Sequence, residues 1–151
     1  MSLHDLTALE QAAAIRAGEV SAVELVEHYL RRAESVPGAY VVLTADLAIE
    51  QARAADEAVA SGEAHGDLFG VVCPVKDLNF MVGANARMGS AVFDLTSYED
   101  DYVVKAMRDA GLVFTGKTTT PEFGLPCYTE PEPEVSPPAR CVWDQRRTAG
   151  G

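Results

Sequence analysis

Residues 68–77 read Leu-Phe-Gly-Val-Val-Cys-Pro-Val-Lys-Asp, an apolar run that ends in two charged residues. Because Gly66 and Asn79 bound it, the run predicts a short buried strand. Burial disfavours the ammonium form of a lysine, so a buried Lys76 is a candidate base. Successive strand residues point to opposite faces, so no direct contact between Lys76 and Asp77 is expected. A structural pairing of Lys76 with another acid stays open beside the catalytic interpretation.

The composition restricts the kind of partner. The 151 residues, 48% of them apolar, are enough for one ordinary domain or part of a larger one. A formal net charge of -11 argues against nucleic acid and anionic membranes as partners. No apolar run is as long as a transmembrane helix, and the N-terminal residues lack the pattern of a signal peptide. We therefore expect a cytoplasmic protein.

The cysteines give no sign of a cofactor or metal site. Cys73, Cys127 and Cys141 are odd in number, widely spaced and unlike any metal-binding pattern. Without an export signal they are expected to be reduced thiols. The three histidines lie in helix or linker contexts, which disfavours a Cys–His catalytic site. The cysteines therefore indicate no metal site.

Two helices are predicted in the N-terminal part of the chain. Residues 5–17 have helical apolar spacing, with Asp5 as the cap and Gly18 as the terminating residue. Ser21 and Glu24 fit the capping box that begins a second helix. The short connection between the two helices predicts an antiparallel helical hairpin.

The middle of the chain alternates between strands and helices. Residues 40–43 and 68–77 read as strands around an alanine-rich helix over 46–60, which predicts a right-handed crossover with parallel pairing. The acids at 99–101 then begin a further helix, and residues 112–115 read as a strand. The predicted class is α/β, an N-terminal helical hairpin followed by the first strands and helices of a mixed sheet flanked by helices.

Two loop regions are predicted. Residues 79–97 are rich in Gly, Asn, Ser and Thr, and either line a site or form a plain surface connection. Frequent prolines exclude a helix or a central strand after Pro121. Residues 121–147 are predicted to be an extended, acidic loop, so that 121–151 form a Pro-rich segment leading into a glycine-rich end at 148–151.

One motif is rejected on physical grounds. Residues 111–118 fit the G-x-x-x-x-G-K-[ST] pattern of a phosphate-binding loop. That loop needs a strand before it and a helix after it. Here a helix precedes, and the residues between the two glycines favour a strand. We interpret Gly111 as a helix C-cap and keep a nucleotide-binding module only as a disfavoured alternative.

Three blocks in a fixed order carry a resemblance to a known family. Residues 70–77 read Gly-Val-Val-Cys-Pro-Val-Lys-Asp, residues 89–90 read Gly-Ser, and residues 109–124 run from Asp-Ala-Gly to Gly-Lys-Thr-Thr-Thr-Pro-Glu-Phe-Gly. With residues 18–26 as an opening helix, they resemble the amidase signature family. The resemblance implies a hydrolase that cleaves a C–N amide bond of a small molecule with a Ser, cis-Ser, Lys triad and no cofactor.

The resemblance assigns roles to the two lysines. Lys76 would be the neutral base that activates the nucleophile through the bridging serine. Lys117 is interpreted as a structural or site-edge residue. The family's two serines lie in and just beyond a Gly-Gly-Ser-Ser-Gly-Gly segment, and the chain stops at Ala-Gly-Gly. Ser90, Ser97 and Ser136 are no substitutes by position.

The resemblance therefore implies that residues 1–151 are the N-terminal portion of a single amidase-like domain and are inactive alone. A non-catalytic remnant or an interaction protein is the alternative. An incomplete sheet would leave an edge and an apolar face open, so we expect self-association or a homo-oligomer.

The chain also departs from the family pattern. Thr119 stands where Asn is usual, and residues 141–142, Cys-Val, stand where Asn-Pro is common. A decayed copy of the family is one interpretation of both departures. Residues 75–80, Val-Lys-Asp-Leu-Asn-Phe, are more typical of general bacterial amidases than of the tRNA-dependent amidotransferase subunit.

Overall fold

The computed structural model describes residues 2–64 and 66–150. Its helices are α1 (Ala8–Ala17), α2 (Ala22–Glu34), α3 (Ala45–Ser61) and α4 (Tyr102–Asp109), with short 3₁₀ turns at Leu3–Asp5 and Glu122–Gly124. Its strands are β1 (Tyr40–Leu43), β2 (Val75–Lys76), β3 (Gly116–Thr118), β4 (Arg140–Cys141) and β5 (Asp144–Thr148). No helix in this described part is long and apolar enough to cross a membrane.

The first helix begins later than predicted. Thr7, not Asp5, is the N-cap of α1, because its hydroxyl accepts the Glu10 backbone N–H and the Glu10 carboxylate accepts the Thr7 N–H in return. Asp5 lies in the preceding 3₁₀ turn, where its carboxylate accepts the Ser2 N–H at 2.8 Å. The predicted terminating residue is confirmed, since Gly18 adopts a left-handed conformation with φ 70°.

The second helix follows its sequence signature. Ser21 and Glu24 form the predicted capping box at the start of α2. The Asp56 carboxylate of α3 adds to it by accepting the backbone N–H groups of Ala22 and Val23 at 2.7 and 3.3 Å. A carboxylate at a helix N-terminus is favourable, so these contacts join α2 to α3.

Two apolar clusters hold the elements together. In the first, α1, α2 and α3 pack against one another and against Val113, with small side chains on α3 allowing the close approach; its buried members include Ile15, Leu25, Val26, Ala48, Ala52 and Ala55. The second lies around β2 and α4 and contains Val75, Met81, Val104 and Phe114.

The order of the sheet differs from the predicted one. The three strands run β1-β3-β2, with β1 antiparallel to β3 and β2 parallel to β3. The predicted parallel pairing of β1 with β2 is wrong, because β3 lies between them. Gly116 permits this, since a Cβ at its φ of 143° would overlap the carbonyl oxygen of Val42. The expected α/β class with a mixed sheet is confirmed.

The strand that carries Lys76 is shorter than the predicted run over 68–77. Val72 forms an isolated parallel bridge with Val113, and β2 contains only Val75 and Lys76. Pro74 lies between bridge and strand and has no N–H to donate, which interrupts the ladder. The strand predicted at 112–115 likewise forms its ladder further on, at 116–118.

The predicted extended loop over 121–147 is wrong in its second half. Residues 140–148 form a β-hairpin of β4 and β5 with a two-residue turn at 142–143. Three backbone bonds of 2.9–3.0 Å link Thr129, Ala139 and Ala149 beside it. The side chains of Val135 and Ser136 are buried. The exclusion of a helix is confirmed for residues 125–138, and between Pro121 and residue 150 the structure has a single 3₁₀ turn.

Candidate functional site

Lys76 is an exposed residue on an edge strand of the sheet. Val75 before it and Asp77 after it are buried, whereas the side chain of Lys76 points away from the core. The prediction that Lys76 is buried is therefore wrong for this chain. The physical reason is the two-residue alternation of a strand, which directs the apolar Val75 inward and Lys76 outward.

The buried lysine of the site is Lys117. Its Nζ lies 2.9 Å from Oδ1 of Asp77, and both side chains are 0% exposed. The pair joins β3 to the residue that follows β2, and Val75 of β2 lies opposite Lys117 in register. The interpretation of Lys117 as a structural or site-edge residue fits this geometry. Sequence reasoning missed its partner, although the alternation that separates Lys76 from Asp77 already indicated that the two residues face opposite sides.

Asp77 joins three segments of the chain. Its Oδ1 also accepts the backbone N–H of Arg87 at 3.3 Å, and its own N–H donates to the Thr118 carbonyl at 3.1 Å. Its Oδ2 is buried and has no hydrogen-bond partner among the described residues. A buried carboxylate oxygen without a hydrogen-bond partner costs free energy, so its presence in the core needs an explanation.

The loop over 79–97 is packed onto the segment that follows β3. Met88 and Phe123 both have positive φ values, 52° and 49°, and the Phe123 N–H donates to the Met88 carbonyl at 2.8 Å. The Ser90 hydroxyl donates to the Glu122 carboxylate at 2.8 Å. Position 89, between Met88 and Ser90, requires glycine, since a Cβ there would lie 2.6 Å from the Thr120 carbonyl oxygen. Two strained residues in contact are typical of functional sites.

A groove of about 520 Å³ lies between β1 and this loop. Its polar side is formed by Arg87 and Asp94, whose Nε and Oδ2 are 3.7 Å apart, and by Asn85, which donates to Asp94 at 2.7 Å. Val42 forms part of its apolar side. Lys76 does not line this groove.

Ser90 and Ser136, two of the three serines that the resemblance set aside, form hydrogen bonds elsewhere. The Ser136 hydroxyl lies 3.3 Å from that of Thr119, and it donates to carbonyl oxygens of Tyr40 and Pro137. Thr119, a departure from the family pattern, therefore connects the end of β3 to the Pro-rich segment. Ser97 Oγ is buried and has no hydrogen-bond partner in the described part of the chain.

The cysteines and the possible metal ligands among the described residues form no second candidate site. Cys73, Cys127 and Cys141 are free thiols, and burial raises the pKa of the Cys73 thiol, which makes it a weaker nucleophile at neutral pH. Across residues 2–64 and 66–150, no group of three or more His, Cys, Asp or Glu side chains could hold a metal ion. The rejection of a phosphate-binding loop is supported, because the lysine of that motif is the buried Lys117.

The chain has an α/β fold with a mixed sheet, a lysine on an edge strand and a buried Asp–Lys pair that includes the residue after that lysine. This fold matches the structures of amidase signature enzymes. A sequence model of the Amidase family matches residues 24–151, and the chain belongs to that family.

Comparisons with individual proteins agree with this assignment. A glutamyl-tRNA(Gln) amidotransferase subunit of Thermobifida fusca (strain YX) is 40% identical over 150 residues, which cover 97% of this chain and 30% of that protein. Its counterpart in Carboxydothermus hydrogenoformans is 38% identical over 157 residues, which cover 100% of this chain and 32% of that protein. The crystal structure of an amidase superposes with a TM-score of 0.86 at 29% identity, over 97% of this chain and 34% of that one.

The chain spans about a third of the length of these relatives. The expectation that residues 75–80 indicate a general amidase rather than an amidotransferase subunit is not supported, because amidotransferase subunits are among the similar proteins.

Proposed function

We propose that this chain provides the lysine-bearing part of an enzyme that cleaves a C–N amide bond, with Lys76 as its catalytic base. The observation that carries the proposal is the direction of Lys76, which leaves the sheet between two buried residues. A general base must reach a reacting group, and an outward side chain on a fixed strand satisfies that requirement.

The chemistry follows from the resemblance. The Lys76 amine takes a proton from a bridging serine, which takes the proton of the nucleophilic serine. The nucleophile attacks the amide carbonyl, and the proton returns through the bridging serine to the nitrogen as the C–N bond breaks. Ammonia or an amine leaves, and the acyl-enzyme is resolved by water or another acceptor. Both serines belong to a segment of the family that is absent from residues 1–151, so the chain alone is inactive in this proposal.

A lysine base must be neutral, and desolvation is the usual means of making it so. The described residues leave Lys76 exposed. We propose that other parts of the complete enzyme cover this face of β2 and supply that desolvation. The substrate would be a small-molecule amide or, as in the amidotransferase relatives, an amide whose nitrogen is transferred. Both reactions begin with the same bond cleavage, and the second implies protein partners.

The alternative is a non-catalytic interaction protein. It is favoured by the turn of the β4–β5 hairpin, where Val142 and Trp143 are both largely exposed. Val142 also belongs to one of the two departures from the family pattern. Exposed aromatic side chains are enriched at protein interfaces.

The intact mass of the protein as its host makes it separates the two proposals first. A mass of 16.1 kDa together with no amidase activity would favour the interaction protein. A mass about three times larger would permit the catalytic test.

The catalytic test compares Lys76→Ala with Lys105→Ala, a control lysine exposed on α4. Ammonia release would be measured from glutamine, acetamide and benzamide. Loss of the base should lower kcat by about 10²- to 10⁴-fold, whereas the control should keep its activity. Full activity of Lys76→Ala would refute the role of Lys76.

A further inference from the structure

We infer that Asp77 and Lys117 are positioning residues, whose buried ion pair fixes the place of Lys76 rather than adding to the stability of the fold. The inference rests on the proposed function, in which Lys76 is the base. It assigns a role to the one fully buried charge pair of the described residues, at 2.9 Å between Nζ and Oδ1.

The backbone alone holds β2 weakly. The strand has two residues and a neighbour on one side only. Pro74 donates no hydrogen bond immediately before it. β2 pairs with β3 only at Val75 and Lys76, and backbone bonds from Cys73 to Val113 and from Asp77 to Thr118, at 2.8 and 3.1 Å, flank this short ladder. Lys76 lies between these two bonds.

The ion pair adds a directional side-chain contact to this two-residue ladder. Asp77 is the neighbour of Lys76, so a fixed Asp77 carboxylate limits the movement of the Lys76 Cα. The carboxylate is held from two directions, by the Lys117 ammonium of β3 and by the Arg87 backbone N–H of the loop at 3.3 Å. A charge-assisted hydrogen bond has a preferred direction, whereas an apolar contact has none.

A contribution to the stability of the fold does not explain the buried Asp77–Lys117 pair. Removing two charges from water costs about as much as their attraction returns, and apolar replacements of buried pairs are often neutral or stabilising. The cost here is visible in Asp77 Oδ2, which is buried without a partner among the described residues. A costly pair next to a proposed catalytic residue is explained if it sets that residue's position.

The test replaces both charges by apolar side chains of similar size, Asp77→Leu with Lys117→Met. Replacing both avoids the unpaired buried charge that either single change would leave. The matched control is Lys105→Met with Asp109→Leu, which removes a lysine–aspartate pair of the same 2.9 Å length from the exposed face of α4.

The first readout needs no substrate. Amide hydrogen exchange of residues 75–78 should be roughly tenfold faster in the Asp77→Leu/Lys117→Met variant, while its melting temperature is equal or higher. A lower melting temperature with unchanged exchange at 75–78 would make the pair a stabilising contact and overturn the inference. The control pair should change neither quantity.

The second readout is activity of the protein as its host makes it. The Asp77→Leu/Lys117→Met variant should lose roughly ten- to hundredfold in kcat with little change in KM, since a displaced base affects the chemical step. Full kcat in this variant, with Lys76→Ala inactive, overturns the inference and leaves the proposed function intact. Full kcat in Lys76→Ala overturns both.

Discussion

Gly38 and Pro138 lie so close that no side chain fits between them. A Cβ on Gly38 would stand 2.5 Å from the carbonyl oxygen of Pro138 and 2.7 Å from that of Pro137. Gly38 precedes β1, and the two prolines belong to the segment between β3 and β4. The contact therefore attaches the Pro-rich segment to the start of the sheet.

Replacing Gly38 by alanine should detach that segment. Gly18 offers a matched control, since its φ of 70° is similar to the 80° of Gly38 but nothing lies within 4 Å of its Cβ position. Gly18→Ala should cost about 1 kcal/mol from backbone strain alone. Gly38→Ala should cost about 1–3 kcal/mol more, because the backbone cannot move aside without breaking the contact. Urea unfolding measures both, and equal losses would contradict the close contact.

Removing one charge of the buried Asp77–Lys117 pair should lower the free energy of unfolding far more than removing both charges. Lys117→Met leaves the Asp77 carboxylate buried without its cation, which should cost about 3–5 kcal/mol of unfolding free energy. Lys105→Met removes an exposed partner of Asp109 and should cost less than about 1 kcal/mol. Thermal unfolding at neutral pH measures the loss of stability in Lys117→Met and in Lys105→Met. A small loss in Lys117→Met would mean that Asp77 is not held as the structure shows.

The Asp100 carboxylate should make the fold sensitive to acid. Two hydrogen bonds from the Arg108 guanidinium, at 2.6 and 3.0 Å, and one from the Val82 N–H hold the pKa of Asp100 below its usual value. A lowered pKa in the folded state means that the unfolded chain binds the proton more tightly. The contribution to stability is therefore present above the usual aspartate pKa and is lost as the pH falls through the folded-state pKa.

Asp100→Asn tests this dependence. The variant should be less stable than the wild type at pH 7, and the difference should shrink below about pH 4. Asp67→Asn, at an exposed position, controls for the loss of one negative charge. Melting temperatures between pH 2 and 7 would be compared at fixed ionic strength. If the difference in melting temperature between Asp100→Asn and the wild type stays constant down to the lowest pH, the result would argue against the Asp100–Arg108 ion pair.

The open edges of the sheet should make the 151-residue chain self-associate. β1 is an edge strand, and its residues Val42 and Leu43 are exposed. An unpaired apolar edge is a template for pairing with a second copy. Val42→Lys should lower the average mass seen by light scattering, whereas Val103→Lys on α4 should not. A monomeric wild type with a sharp cooperative melt would contradict the expectation.

The parts of the fold that sequence predicts well are those fixed by local contacts. The capping box of Ser21 and Glu24 and the terminating Gly18 involve residues three or four positions apart, so the pattern is complete within one helical turn. The order of the sheet depends on distant residues. Tyr40 pairs with Thr118, and no local pattern specifies that β3 separates β1 from β2.

The candidate site is hard to predict for the same reason, because it depends on residues that are distant in the sequence. The chain's alternation places Lys76 and Asp77 on opposite faces, but only the fold shows which of them is buried. The cation that occupies the core with Asp77 is 40 residues away in the sequence, in a block that resembles a phosphate-binding loop. The hairpin at 140–148 was missed because its turn, Val142-Trp143, lacks the Asn-Gly or Asp-Gly signal of a two-residue connection.

The hairpin turn also decides which spectroscopic probe suits this chain. Trp143 is the only tryptophan in the sequence and is 92% exposed. Its indole already faces water in the native state, so intrinsic fluorescence should change little when the apolar clusters melt. The same emission should shift towards the blue when any surface covers the turn. Circular dichroism is therefore the appropriate measure of unfolding, and tryptophan fluorescence reports on contacts made by the hairpin.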